Sequence, residues 1–152
     1  MTLAGYNGGL VNGANELEQV YEVRMIVFVE EQNVPPEEEL DAYDLTATHF
    51  LMREITTKRV VATARFLDKG ERVGKVGRVA VLKEYRGLGI GAEIMRLVED
   101  HASVQGYREL LLEAQTHAIV FYEKLGYLAE GEIYLDCDIE HRVMRKELGV
   151  RN

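Results

Sequence analysis

Residues 75–105 read KVGRVAVLKEYRGLGIGAEIMRLVEDHASVQ, and this stretch decides the fold. Its first part, Lys75 to Leu82, sets Val76, Ala80 and Leu82 on one face and Val79 and Val81 between them. A segment apolar on both faces reads as a central strand. From about Ala92 to Gln105, Ile94, Leu97, Val98 and Ala102 recur at helical steps, and Gly106 is a natural stop. Between strand and helix lies Arg86-Gly87-Leu88-Gly89-Ile90-Gly91. Glycines leave backbone N–H groups uncovered and allow positive φ, while a helix N-terminus adds orphan amides and about half a unit of positive charge. The unit therefore suits a phosphate or pyrophosphate, although a glycine turn by itself fits a plain structural turn equally well. Glycines at 87, 89 and 91 do not fit the dinucleotide spacing G-x-G-x-x-G, and no Gly-Lys-Ser/Thr occurs, so neither of those phosphate motifs is present.

Outward from this unit the pattern repeats. Arg108 to Ala114 (RELLLEA) reads as a buried strand, with Thr116 expected to cap a helix from His117 to Leu125 that Gly126 stops. Upstream, Leu17, Val20, Tyr21, Arg24, Val27 and Phe28 recur at steps of three and four, which predicts a helix over Glu16 to Glu31. Asn15 is its expected N-cap and Pro35–Pro36 its end. His49 to Glu54 and Lys58 to Asp68 read as strands joined at Thr56–Thr57. Tyr127 to Leu148 returns to strand character, with Ile133 and Leu135 on one side and a closing strand at Val143 to Lys146. The expected class is mixed α/β, with helices packed on a central, partly antiparallel sheet.

The chain has 152 residues, enough for one domain (1–152) that buries roughly 70% of its unfolded surface without disulfide or metal. Apolar residues at 47% and only two prolines exclude disordered and collagen-like classes. A net charge of −8 argues against nucleic acid and anionic membranes as partners, while leaving room for a small anion in a local pocket. The single Cys137 cannot form an internal disulfide, which fits a reducing cytoplasm. The first fifteen residues carry no basic start with an apolar run, and nowhere do about 18 apolar residues follow one another, so neither targeting segment nor membrane helix is expected.

Two blocks together resemble the GNAT superfamily of N-acetyltransferases. Arg86, Gly89 and Gly91 match its Gln/Arg-x-x-Gly-x-Gly/Ala signature in register. Gln115-Thr-His-Ala118-Ile-Val-Phe121-Tyr122-Glu-Lys-Leu-Gly126-Tyr127 is similar to the family's Asn-x-x-Ala-x-x-Phe-Tyr-Glu-Lys-x-Gly-Phe. The segment from Arg24 to Pro35, with its acidic continuation, and the ending from Leu135 to Met144 resemble the small bacterial ElaA and YjcF-like branch. The resemblance spans about residues 15–148. It implies a mostly antiparallel central sheet with a splayed central strand pair, flanked by helices, and it implies acetyl-CoA as cosubstrate. Residues 86–91 would cradle the pyrophosphate, and the pantetheine arm would run along Val79, Ala80 and Val81. Lys83, Arg86 or Lys124 would meet the 3′-phosphate, and Gln115 would contact pantetheine or a water in place of the family's asparagine. Tyr122 would serve the leaving thiol.

Acetyl transfer also needs a neutral amine. Freeing the lone pair of a lysine-like amine at pH 7 costs about 4.6 kcal/mol, so a base is required. Glu31 and His141 are the candidates retained, ahead of His49 and Glu113. The carboxylates from Glu30 to Asp44 are expected either to form a solvated acidic face or to wall the acceptor site and attract a cationic amine, small or protein-borne. Cys137, between Asp136 and Asp138, is expected to be incidental, and the four histidines show no metal spacing. The alternative reading is a non-catalytic acyl-CoA-binding sensor. An edge strand near the C-terminus could pair two copies into a homodimer.

Overall fold

The computed structural model describes residues 3–149. A single seven-stranded sheet has the order β1-β2-β3-β4-β5-β7-β6. Its strands are β1 (Tyr6–Leu10), β2 (Thr48–Glu54), β3 (Val60–Gly70), β4 (Val73–Val81), β5 (Glu109–Gln115), β6 (Leu128–Asp136) and β7 (Ile139–Glu147). Every neighbouring pair is antiparallel except β4–β5. That parallel step needs a crossover, which α3 (Ile90–Val104) supplies.

The crossover strands are held together over a short span only. Val73–Val76 pair with Glu109–Leu112, and from there β4 continues to Val81 and β5 to Gln115 without pairing. The divergence coincides with a bulge: β4 shifts register against β3 between Thr63 and Arg65, and Arg78 takes a φ of 51°. The sheet is thus splayed at its centre, as the resemblance implies.

Val60 to Phe66 of β3 are buried without a break, as a strand covered on both faces must be. Helices α1 (Ala14–Arg24) and α3 both pack on β3. Ile90, Ile94, Met95, Val98 and Ala102 are the buried stripe of α3, and Val20, Val23 and Val27 face the core from the first helix and its continuation. Gly106 at φ 89° ends α3, with Tyr107 N–H returning to Ala102 O and Gly106 N–H to Ser103 O.

Several boundaries differ from expectation. The first helix starts at Ala14 behind Gly13 rather than an Asn15 cap, and after Arg24 it widens into a π-helix, Met25–Glu31. The chain leaves that helix at Gln32 and Asn33, the latter at φ 60°, before either proline. Pro36 instead opens a single turn, α2 (Pro36–Glu39), because a proline has no N–H to lose at a helix start. Thr116 caps nothing: Thr116–Ala118 form a 3₁₀ turn leading into α4 (Ile119–Lys124). Strand β1, sequence YNGGL, has two glycines and no period to announce it. Gly8 is the reason it fits, since a Cβ there would collide with Met52, Leu97 and the Leu51 carbonyl.

Candidate active site

The glycine turn delivers bare amides. Gly87 and Gly89 sit at φ 80° and 87°, and Gly89 is the left-handed N-cap of α3, with no side chain bonded to the helix end. The first intrahelical amide is that of Glu93, bonded to Gly89 O, so Ile90, Gly91 and Ala92 start the helix without partners in it. Gly91 serves differently: a Cβ there would stand 3.2 Å from the Phe121 ring, so its bareness lets α3 approach α4 closely. Arg86, the first residue of the signature, donates from Nε to Val81 O at 2.9 Å and pairs through Nη2 with Glu31 Oε1 at 2.9 Å. Lys83 and Lys124 are exposed and lie outside the main cavity wall.

The splay opens next to this turn. Leu82 N–H bonds Val61 O on β3, so by ladder alternation the polar groups of Val81 face away from β3, into the gap beside β5. Arg86 takes the carbonyl of Val81, leaving its N–H toward the gap. Beneath lies a cavity of about 300 Å³. Phe28 and Gln32 from the π-helix and its exit, Val79 of β4, Ala114 and Gln115 of β5, Tyr122 of α4 and His141 of β7 share its wall.

Each of these polar groups has a definite state. Gln115 Nε2 donates to Gln32 Oε1 at 2.7 Å, and Gln115 Oε1 receives His117 Nε2 at 2.7 Å. The amide expected to meet pantetheine or a water is therefore engaged at both ends. Tyr122 is 7% exposed, wedged edge-on between Phe121 and Tyr127, and burial pushes its phenol well above the ordinary value. His141 Nδ1 donates to Ile139 O at 2.7 Å, and the ring stacks on Tyr134. Glu113 is on the wall too. Burial raises its carboxyl, but hydrogen bonds from Lys75 and Tyr134 outweigh that and hold it below the usual range.

The acidic stretch divides: Glu30, Glu31, Glu37 and Glu38 are exposed, and Glu38 and Glu39 line the cavity, while Glu39, Asp41 and Asp44 are tied up in ion pairs. Glu39 and Asp44, 1% and 5% exposed, bond the fully buried Arg24 guanidinium. Arg65 reaches Asp41 and Asp44, and Arg78 at the bulge reaches Glu39 O and Asp41. Three arginines thus face three carboxylates, and the segment from Pro36 to Leu45 is fastened over the sheet. Burial would raise the Asp44 carboxyl, but bonds from Arg24, the Asp41 amide and Arg65 bring it down to about 2. His49 lies under the same segment, 7% exposed, donating from Nε2 to Asp44 O; burial lowers its pKa, and it is absent from the cavity wall.

Of the residues the sequence singled out, Val79, Gln115, Tyr122 and His141 meet on one cavity, while Glu31 stands with Arg86 at the turn. Sequence reading missed Gln32, Arg78 and His117 as wall residues. It placed Arg24 in the apolar stripe, and that inward register was the signal for a buried charge. Cys137 tips the β6–β7 hairpin and donates to Glu38, which with burial and Asp136 pushes the thiol up to about 12, the wrong direction for a nucleophile. Among the described residues no group of three or more His, Cys, Asp or Glu is placed to hold a metal ion, and no helix is long and apolar enough to cross a membrane.

A family model described as "Acetyltransferase (GNAT) family" matches residues 17–127. The chain is 37% identical over 140 residues to the uncharacterized N-acetyltransferase YjcF of Bacillus subtilis, spanning 91% of this chain and 97% of that protein. The crystal structure of Escherichia coli ElaA superposes with a TM-score of 0.82 at 28% identity, over 93% of this chain and 98% of that one. An acyl-CoA N-acyltransferase from Pseudomonas aeruginosa superposes with a TM-score of 0.79 at 28% identity, over 93% and 97%.

Proposed function

The chain belongs to the GNAT acetyltransferase family, an acyltransferase enzyme by descent, and from that premise we propose that it moves the acetyl group of acetyl-CoA to a primary amine by direct attack in a ternary complex. The observation that carries this reading is the uncapped glycine turn opening onto an unpaired strand edge, with Tyr122 on the wall below.

The amides of residues 87–91 take the pyrophosphate, where the α3 dipole favours negative charge. Lys83, Arg86 or Lys124 supplies the cation for the remaining phosphate. Val79, Ala80 and Val81 offer the strand edge that amide groups of pantetheine can extend, and the Val81 N–H is the donor available to a thioester carbonyl. When bound, acetyl-CoA supplies the acetyl group and leaves as the thiol. Tyr122, its phenol kept neutral by burial, gives a hydrogen bond to the developing thiolate rather than acting as a strong acid. Glu31 is off the cavity wall and bonded to Arg86, so its part is to hold the turn. The nitrogen's proton goes to a base on the wall, where His117 and His141 both stand; the resemblance points to His141, whose Nδ1 is committed to Ile139 O.

One observation favours the rival sensor reading: Gln115, already the family's asparagine replaced, spends its amide on Gln32 and His117. Calorimetry with acetyl-CoA, followed by a panel of primary amines monitored by thiol release, separates the two. The transferase reading expects binding and amine-dependent release. Binding without release supports the sensor, and no binding at high micromolar acetyl-CoA removes both.

A further inference from the structure

We infer that His117 takes the proton that the attacking nitrogen sheds, and that Gln115 and Gln32 hold its ring for the purpose; the inference rests on the acetyl-transfer reading above. His117 lies in the one turn between β5 and α4 and lines the cavity beside Ala118 and Tyr122. Its Nε2 is 2.7 Å from Gln115 Oε1, and the Gln115 amide nitrogen is in turn 2.7 Å from Gln32 Oε1. An amide oxygen can only accept, so Nε2 carries the hydrogen and the lone pair of the neutral ring lies on Nδ1. Among the described residues, no group is bonded to that nitrogen. The three linked side chains come from the π-helix exit, the end of β5 and the 3₁₀ turn, so the ring is fixed by the same elements that bound the gap.

Most other charged groups on this wall are engaged elsewhere, Asp136 excepted. Glu113 serves Lys75 and Tyr134, Glu39 serves Arg24 and Arg78, Arg65 serves Asp41 and Asp44, and Glu38 receives Cys137. Asp136 faces the cavity from the tip of β6 beside Cys137. His141 has an open nitrogen and lines the same cavity, but it belongs to β7, one strand farther from β4 than the β5 end that leads into His117. His117 follows directly from the strand that borders the gap, on the way to Tyr122.

The step balances simply. The nitrogen forms its bond to the acetyl carbon as the C–S bond breaks, its proton passes to His117 Nδ1, and the sulfur leaves as a thiolate that accepts the Tyr122 hydrogen bond and then takes its proton from water. His117 then returns its proton to solvent.

The test is kcat/KM against pH for the unmodified protein, His117→Asn and His141→Asn. The acceptor is whichever of putrescine, ethanolamine, glucosamine and Nα-acetyl-lysine gives the fastest acetyl-CoA-dependent thiol release. His117→Asn is expected to lower kcat/KM about 100-fold near neutrality and to remove one proton from the acid limb, with added imidazole restoring part of the rate to His117→Ala. His141→Asn keeps that limb. An acid limb unchanged in His117→Asn, or lost only in His141→Asn, overturns the inference. Calorimetry with acetyl-CoA on the same proteins separates this from failure of the transferase reading. If no amine is accepted, nitrogen-15 spectra of the imidazoles still decide: a fixed Nε2–H ring at His117 is expected, and an Nδ1–H or averaging ring rejects it.

Discussion

Tyr122 shows how little a side chain's free chemistry says about its use. Burial makes this phenol a poorer acid than tyrosine in water, so what it offers is a fixed O–H dipole in a site of low polarity. Tyr122→Phe should therefore cut turnover about 100-fold while the Kd for acetyl-CoA stays within about twofold, measured by steady-state kinetics beside calorimetry. Equal turnover in the two proteins would remove the donor role. Gly89 makes a second residue-scale case. At φ 87°, with only Leu3 Cδ1 at 4.0 Å from a would-be Cβ, its requirement is conformational rather than steric. Gly89→Ala should cost about 1–2 kcal/mol of stability in urea unfolding and also weaken acetyl-CoA binding, because the amides behind it turn away. Gly89 was legible from spacing, since positive φ at a helix start is what glycine is for. His117 and Gln32 were not, because the Gln115–Gln32 bond that links them joins residues 83 positions apart, and no local pattern encodes that distance.

Among the elements, the strap from Pro36 to Leu45 is the one whose sequence misleads most. An acidic stretch with no basic residue reads as a wet surface, yet Glu39 and Asp44 are in the core because Arg24, Arg65 and Arg78 arrive from three other elements. Removing one side of such a cluster leaves buried charge uncompensated, so Arg24→Met should cost about 3–5 kcal/mol by chemical unfolding. The pH dependence follows from Asp44. Its folded pKa of about 2 lies below the unfolded value near 4, so its contribution is present above about pH 4 and is lost as pH falls toward 2. That contribution is about 2 kcal/mol. Urea midpoints taken at falling pH should drop across that window in the unmodified protein and stay flatter in Asp44→Asn; parallel curves would dismiss the assignment. The strands and the two βα units were readable because period and glycine stops are local. The π-helix was not, since its widening keeps the apolar stripe that an α-helix would show, and the N-terminal strand was not, since its two glycines carry no β-preference.

At the scale of the whole molecule, the sheet is two blocks, β1–β4 and β5–β7, joined along four residues of β4 and four of β5. Amide exchange should register this. The Val81 N–H, directed into the gap, is expected to exchange rapidly in the free protein and to slow on addition of acetyl-CoA, while Leu82, bonded to Val61, is slow in both states. Unchanged exchange at Val81 with cosubstrate bound would place pantetheine elsewhere. The splay itself was not visible in composition or period and came only with the resemblance, because where two strands part depends on a bulge at Arg78 that a Gly-Arg pair does not advertise. A ligand laid into that opening is a zipper slider between the blocks, bearing on both at once. Its arrival should stiffen parts of the protein it never touches, and its departure should loosen them again.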